Sequence, residues 1–213
     1  MKIHHCIQKS PEWWELRRGI PTASDFDKIM QPVKCKPSAS QVPYICQLIA
    51  DRICLTPPFF TEREGHTAAM RNGENLEPAA RSWYELESGF EIEQVGFCTT
   101  DDGRLGCSPD GLVKWGDQYK GGLELKCPEL KTHMAYLLDG SGLPSEYGPQ
   151  VHGQLIVTGL PFVDFMSYAP GAPPLLVRVE PDDYTEKLRA ALEEFWGRYQ
   201  TAWEKVQQMG GRT

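Results

Sequence analysis

The sequence predicts a mixed α/β (α+β) fold, a mixed central sheet flanked by helices. Three observations carry this. The first 88 residues and the last 30 place apolar residues at helical spacing. From Gly89 the period changes to short runs cut by Gly and Asp turns. Two further strand-like runs then stand between helical stretches. With 213 residues and neither a repeat nor a convincing linker, one domain spanning 1–213 is expected.

In chain order, SPEWWELRRG reads as a short helix, with Ser10 capping, Pro11 in the first turn and Gly19 at the end. PTASDFDKIM reads as a second helix start with Ser24 as its cap. Residues 38–54 carry Val42, Ile45, Leu48, Ile49 and Ile53 at helical spacing, and TPPFF breaks that helix. Residues 65–87 form a longer helix that Gly73 and Pro78 should kink or break, with Ala68, Leu76, Ala80, Trp83 and Tyr84 inward. FEIEQVGFCTT, RLGCSPDG, LVKWG and GGLELKC read as antiparallel-looking strands. Residues 129–138 and 146–158 return to helix, PFVDFMSYAP and PLLVRVEP to strand, and 182–207 close as a long amphipathic helix.

Composition bounds the rest. Apolar content of 40% and charged content of 24% suit a soluble globular protein, and no apolar run approaches the roughly 20 residues of a membrane span. No membrane partner and a cytosolic site are expected. The seven cysteines include no C-x-x-C pair, so reduced, mostly buried thiols are expected rather than zinc or disulfides. A net charge of −7 argues against a protein that coats nucleic acid but leaves room for a local grip on DNA.

The chemistry concentrates in residues 106–126. Asp110 opens one apolar run and Glu124-Leu125-Lys126 closes the next. In a strand, Glu124 and Lys126 share a face while Leu125 turns to the core. Carboxylates beside a lysine suit Mg²⁺-dependent phosphodiester cleavage: hard oxygens hold the ion, and the amine assists the nucleophile. By themselves, S-P-D-G is also an ordinary turn and E-x-K an ordinary ion pair at a strand edge.

Five segments, SPEWWELRRGIPTAS, MRNGENLEPAAR, GCSPDG, GLELKCP and YGPQVHGQLIVTG, stand in the order of the phage lambda exonuclease family, the YqaJ-like viral recombinases or alkaline exonucleases, which the chain resembles from about Ser10 to Gly159. The resemblance implies a restriction-endonuclease-like PD-(D/E)XK core. It implies an enzyme that digests one strand of linear duplex DNA from its 5′ end. The 3′ overhangs so left would serve a single-strand annealing protein in phage recombination, with the enzyme a homotrimer ring in the bacterial cytoplasm.

By the same resemblance, Asp110, Glu124, the Leu125 carbonyl and Glu77 hold Mg²⁺, two ions being implied and Mn²⁺ a substitute. Lys126 is the catalytic amine, which requires a depressed pKa. Gln150 lies near metal and nucleophile, and Gln154 and Tyr147 share its neighbourhood. Arg17 and Ser24 hold the 5′-terminal phosphate, with Arg18 a further contact, and Met70 is an apolar wedge between strands. A departure is the connection from Asp110 to Glu124, lengthened by WGDQYKGG, which is expected to keep its extra residues away from the site. A site- or structure-specific endonuclease of the same fold is the alternative, and a catalytically silent DNA-binding subunit the third reading.

Overall fold

The computed structural model describes residues 1–54 and 68–210, the side chains of 68–72 excepted. The expected TPPFF break and the Met70 wedge therefore lie outside what is described. The elements are β1 (Lys2–His4), α1 (Pro11–Arg17), a 3-10 turn (Ala23–Lys28), α2 (Gln41–Ile53), α3 (Ala68–Ser88), β2 (Glu91–Glu93), β3 (Phe97–Thr99), β4 (Gly106–Cys107), β5 (Gly111–Trp115), β6 (Gln118–Lys126), α4 (Leu130–Asp139), a second 3-10 turn (Ser145–Tyr147), α5 (Gly148–Thr158), β7 (Val163–Ser167), β8 (Leu175–Val179) and α6 (Asp183–Gln208).

The main sheet has the order β2-β5-β6-β7-β8. Its β6–β7 pair is parallel and the others antiparallel. The strands between residues 89 and 127 pair antiparallel, as read from the sequence. The parallel β6–β7 pair makes the sheet mixed, because the chain returns through α4 and α5 rather than by a hairpin. A second sheet, β1-β3-β4, uses an N-terminal strand that three residues were too short to announce.

Alternation along β6 assigns its two faces. Leu123 and Leu125 pack under α3 with Ala80, Tyr84 and Met166. Gly122, Glu124 and Lys126 turn the other way, to the side of α5. That helix is buried along its length. Val151 and Leu155 meet Val163, Phe165 and Val179, while Ile156 and Val157 join the cluster of Phe26, Leu188 and Phe195. At Gly153 an added Cβ would stand 2.5 Å from Phe26, so glycine lets the first 3-10 turn lie against α5.

α3 runs unbroken through Gly73 and Pro78, against the expected interruption. Proline removes one internal hydrogen bond. The tertiary anchors outweigh that loss, since Ala80 and Tyr84 are fully buried beyond it. Gly73 sits where a Cβ would come 3.2 Å from the Cys127 carbonyl, so the helix rests on the end of β6.

Ser24 is not a cap. Thr22 occupies that place and Ser24 is the exposed second residue of a 3-10 turn. The backbone stays extended as far as Thr22, which bridges to Gly106 and whose N–H donates to the Tyr44 hydroxyl. Helical winding therefore begins at Ala23, ahead of Ser24 rather than after it. The thiols depart from expectation too: Cys98 and Cys107 are buried, whereas Cys46 and Cys54 are exposed and the others intermediate.

Beneath α3, Asp164 is buried and accepts from Tyr84 Oη (2.6 Å), Arg178 Nε (2.8 Å) and Arg178 Nη2 (2.7 Å). Asp164→Ala should cost about 2–3 kcal/mol by chemical denaturation. That is less than breaking a fully buried pair costs, because Arg178 is 45% exposed and re-solvates while the Tyr84 hydroxyl cannot. Unchanged stability would show that the network anchors nothing.

Candidate active site

The segment Ser108-Pro109-Asp110 is held residue by residue. Ser108 Oγ accepts from Trp13 Nε1 (2.8 Å) and Arg17 Nη1 (3.1 Å). The Pro109 carbonyl accepts from Gln8 Nε2 (2.9 Å) and the Asp110 carbonyl from Arg81 Nη2 (3.3 Å). The Asp110 N–H donates to the Leu123 carbonyl (3.0 Å), and the Leu125 N–H donates to Asp110 Oδ2 (2.6 Å). Asp110 thus caps the edge of β6 where β5 begins. Since N–H and C=O of one strand residue point the same way, the Leu125 carbonyl looks onto that edge.

Glu124 is 2% exposed and fully engaged. Its Oε1 accepts from Lys126 Nζ (2.6 Å) and Gln150 Nε2 (2.6 Å), and its Oε2 accepts from Gln154 Nε2. Gln150 and Gln154 stand one turn apart on α5, as their spacing implied. The Tyr147 ring centroid lies 5.2 Å from Lys126 Nζ.

Electrostatics bring Asp110 and Glu77 into the same neighbourhood. Burial raises the Asp110 carboxyl, and Glu124 and Glu77 raise it further against the pull of Lys126. Burial likewise raises Glu77, with Lys9, Arg81 and Lys126 opposing. The thiol of Cys127 is pushed up to about 11 by burial, Glu77 and Asp110. Carboxylates therefore crowd the end of β6 with less cationic compensation than they need.

Without a metal ion the Lys126 pKa is raised; the depression expected of it depends on two Mg²⁺ ions nearby. Burial would lower its pKa, but Glu124 and Asp110 outweigh it and hold the ammonium charged. The proton is kept on Nζ by the same carboxylates that would ligate a cation.

The donor set fits Mg²⁺ in kind: oxygen donors only, mutually repelling, from Asp110, Glu124, Glu77 and the Leu125 carbonyl. It is not preassembled. Among the described residues no three His, Cys, Asp or Glu side chains stand close enough to hold an ion as they are placed. Lys126 and Gln150 share Glu124 Oε1, and Gln154 takes Oε2.

A second cluster lies across Ser108. The Arg17 guanidinium stacks on Trp13 at 4.2 Å and donates through Nη2 to Thr22 Oγ1 (3.0 Å) and Ser24 Oγ (3.4 Å). Arg17 and Ser24, chosen from the sequence, do meet. Arg18 turns away to Glu15 and to the carbonyls of Asp51 and Cys54. Ser108, Thr22 and Arg81 escaped the sequence reading. For Arg81 the signal was its i+4 relation to Glu77; for the other two nothing local distinguished them from turn residues.

The sequence profile of the YqaJ-like viral recombinase domain matches residues 12–161. Among solved structures, the alkaline exonuclease LHK-Exo from Laribacter hongkongensis aligns at 31% identity and TM-score 0.76, covering 94% of this chain and 98% of that one. LHK-Exo in complex with dAMP aligns at 30% identity and TM-score 0.77, with the same coverage of 94% and 98%. A phage-related exonuclease from Haemophilus somnus 129PT shares the fold at 12% identity and TM-score 0.59, covering 90% of this chain and 99% of its own. The search of curated proteins returned no significant match. With the profile and LHK-Exo agreeing over most of its length, the chain belongs to the YqaJ-like viral recombinase family and has the PD-(D/E)XK-like fold.

Proposed function

We propose that this protein is a Mg²⁺-dependent exonuclease that removes nucleotides from the 5′ ends of linear duplex DNA. The observation that carries the reading is the junction at Ser108-Pro109-Asp110. One end of this tripeptide belongs to an Arg-centred anion pocket, the other to a crowded carboxylate cluster with a lysine. Such a spacing suits a terminal phosphate at Arg17, Ser24 and Ser108, with the first phosphodiester presented to Asp110 and Glu124.

When bound, Mg²⁺ would supply Lewis-acid activation of the phosphoryl oxygen and of water; Asp110, Glu124, Glu77 and the Leu125 carbonyl would hold it. The chain's own residues do the rest. Gln150 and Gln154 fix the Glu124 carboxylate from the α5 side. With Asp110 and Glu124 engaged by a cation, the pull that keeps Lys126 protonated would weaken, and its Nζ would be placed to accept the proton of an attacking water. Arg17 orients the chain end and defines which strand is cut.

The products are 5′-mononucleotides and a 3′ overhang, the substrate class of a single-strand annealing protein. A homotrimer ring would let an acidic chain work processively, since encirclement rather than charge prevents escape.

The test is end-labelled linear duplex with a 5′-phosphate, incubated with and without Mg²⁺, beside covalently closed circular duplex. The 5′-ended strand should shorten with Mg²⁺ only, and the circle should survive. Cleaved circles would establish the endonuclease reading instead.

A further inference from the structure

We propose that Tyr136 on α4 is a positioning residue for cleavage: acting through Tyr147, it sets the aromatic wall against which the Lys126 ammonium is held. The proposal rests on the exonuclease reading above and deepens it.

Lys126 has an ionic partner, Glu124, at 2.6 Å. An ion pair fixes the distance of an ammonium on a four-carbon stem far better than its direction. The direction comes from the Tyr147 ring, whose centroid lies 5.2 Å from Nζ, within cation–π range. If Glu124 turns to a cation, that ring is the contact that stays with the lysine.

Tyr147 has little to hold it locally. It is half-buried and ends a one-turn 3-10 helix of three residues. Its ring leans on Phe165 at 5.1 Å, and Tyr136 meets it edge-on at 6.2 Å and 80°. The Tyr136 hydroxyl lies 3.4 Å from the Tyr147 hydroxyl and donates to Glu146 Oε1 at 2.7 Å. Tyr136 thus grips both Tyr147 and the residue before it.

α4 is itself pinned to the sheet. His133 is fully buried and bonds Ser167 Oγ (2.8 Å) and the Pro173 carbonyl (3.0 Å) through its two ring nitrogens. Ser167 is the register partner of Lys126 on β7. The clamp and the lysine therefore share one pair of strand ends, so α4 can set the ring's place relative to Nζ. An exposed tyrosine–glutamate bond alone would stabilise little. The contact of Tyr147 with Lys126 is what makes this one matter.

Tyr136→Phe keeps the ring and deletes the hydroxyl. Single-turnover cleavage of 5′-phosphorylated duplex should slow about three- to tenfold, the loss of one modest hydrogen bond. Tm, and DNA affinity measured with Ca²⁺ in place of Mg²⁺, should not move. In a Tyr147→Ala background the same change should have no further effect, because the path runs through that ring. Independently of cleavage, the ring-current shift of the Lys126 ε-methylene by NMR in the metal-free protein should change in Tyr136→Phe. A wild-type rate with an unmoved Lys126 resonance overturns the proposal, as does a full effect in the Tyr147→Ala background. If the unmodified protein does not cut DNA at all, the exonuclease reading fails, and the resonance still decides whether Tyr136 positions Lys126.

Discussion

Asp110→Asn is expected to abolish cleavage and at the same time to stabilise the metal-free protein. The loss of activity should be at least about a hundredfold, comparable to removing a group that stabilises charge in the transition state. Asparagine can still accept from the Leu125 N–H, so backbone geometry survives. What disappears is a carboxylate whose charge the fold resists, through burial first and then through Glu124 and Glu77.

The sign of the pH dependence follows. A carboxyl whose folded pKa lies above its unfolded value of roughly 3.9 binds its proton more tightly in the native state. The native state is favoured most below that unfolded value, and the advantage is lost as pH climbs toward the raised folded value. Asparagine never ionises, so the two proteins should melt alike near pH 4 and diverge as pH rises. By pH 9 in EDTA the variant should be more stable by about 1–2 kcal/mol, on the order of 3–6 °C in Tm. Mg²⁺ should raise the Tm of the unmodified protein more than that of the variant. A variant less stable at pH 9 than the parent would show that Asp110 carries no such frustration.

The legible parts of this molecule were those in which one short segment determines the outcome. Ser10 and Pro11 announce α1, and the Trp13 N–H does donate to the Ser10 hydroxyl. The E-x-K alternation put Glu124 and Lys126 on one face and Leu125 in the core, as found. The misses are where distant chain decides. Pro78 should break a helix, but buried Ala80 and Tyr84 hold α3 together across it. Ser24 looks like a cap, but the extended backbone that bridges to Gly106 ends at Thr22, so the turn has already begun at Ala23. The raised proton affinity of Lys126 comes first from Glu124, which the strand itself supplies, and then from Asp110, which it does not. Tyr136 was invisible because its partners, Glu146 and Tyr147, come from the next turn of chain rather than from its own helix.

Arg17→Ala should erase the preference for 5′-phosphorylated ends. The guanidinium presents a planar fork over Trp13, and Ser108, Thr22 and Ser24 supply hydroxyls around it. Charge-assisted bonds of this kind contribute about 1.5–3 kcal/mol. The unmodified protein should therefore favour a 5′-phosphate over a 5′-hydroxyl by roughly ten- to a hundredfold in kcat/KM. In Arg17→Ala the phosphorylated end should fall to the rate of the hydroxyl end, and the hydroxyl end should scarcely change. Arg17→Lys keeps the charge but loses the fork and should lie between. The pattern matters more than the size of the loss, because Arg17 also stabilises the segment leading to Asp110. A side chain that served only as that brace would slow both kinds of end by the same factor, leaving the preference for phosphate intact. In that event the anion pocket would have to be sought elsewhere, and the coupling of terminus to cleavage through Ser108 would lose its basis.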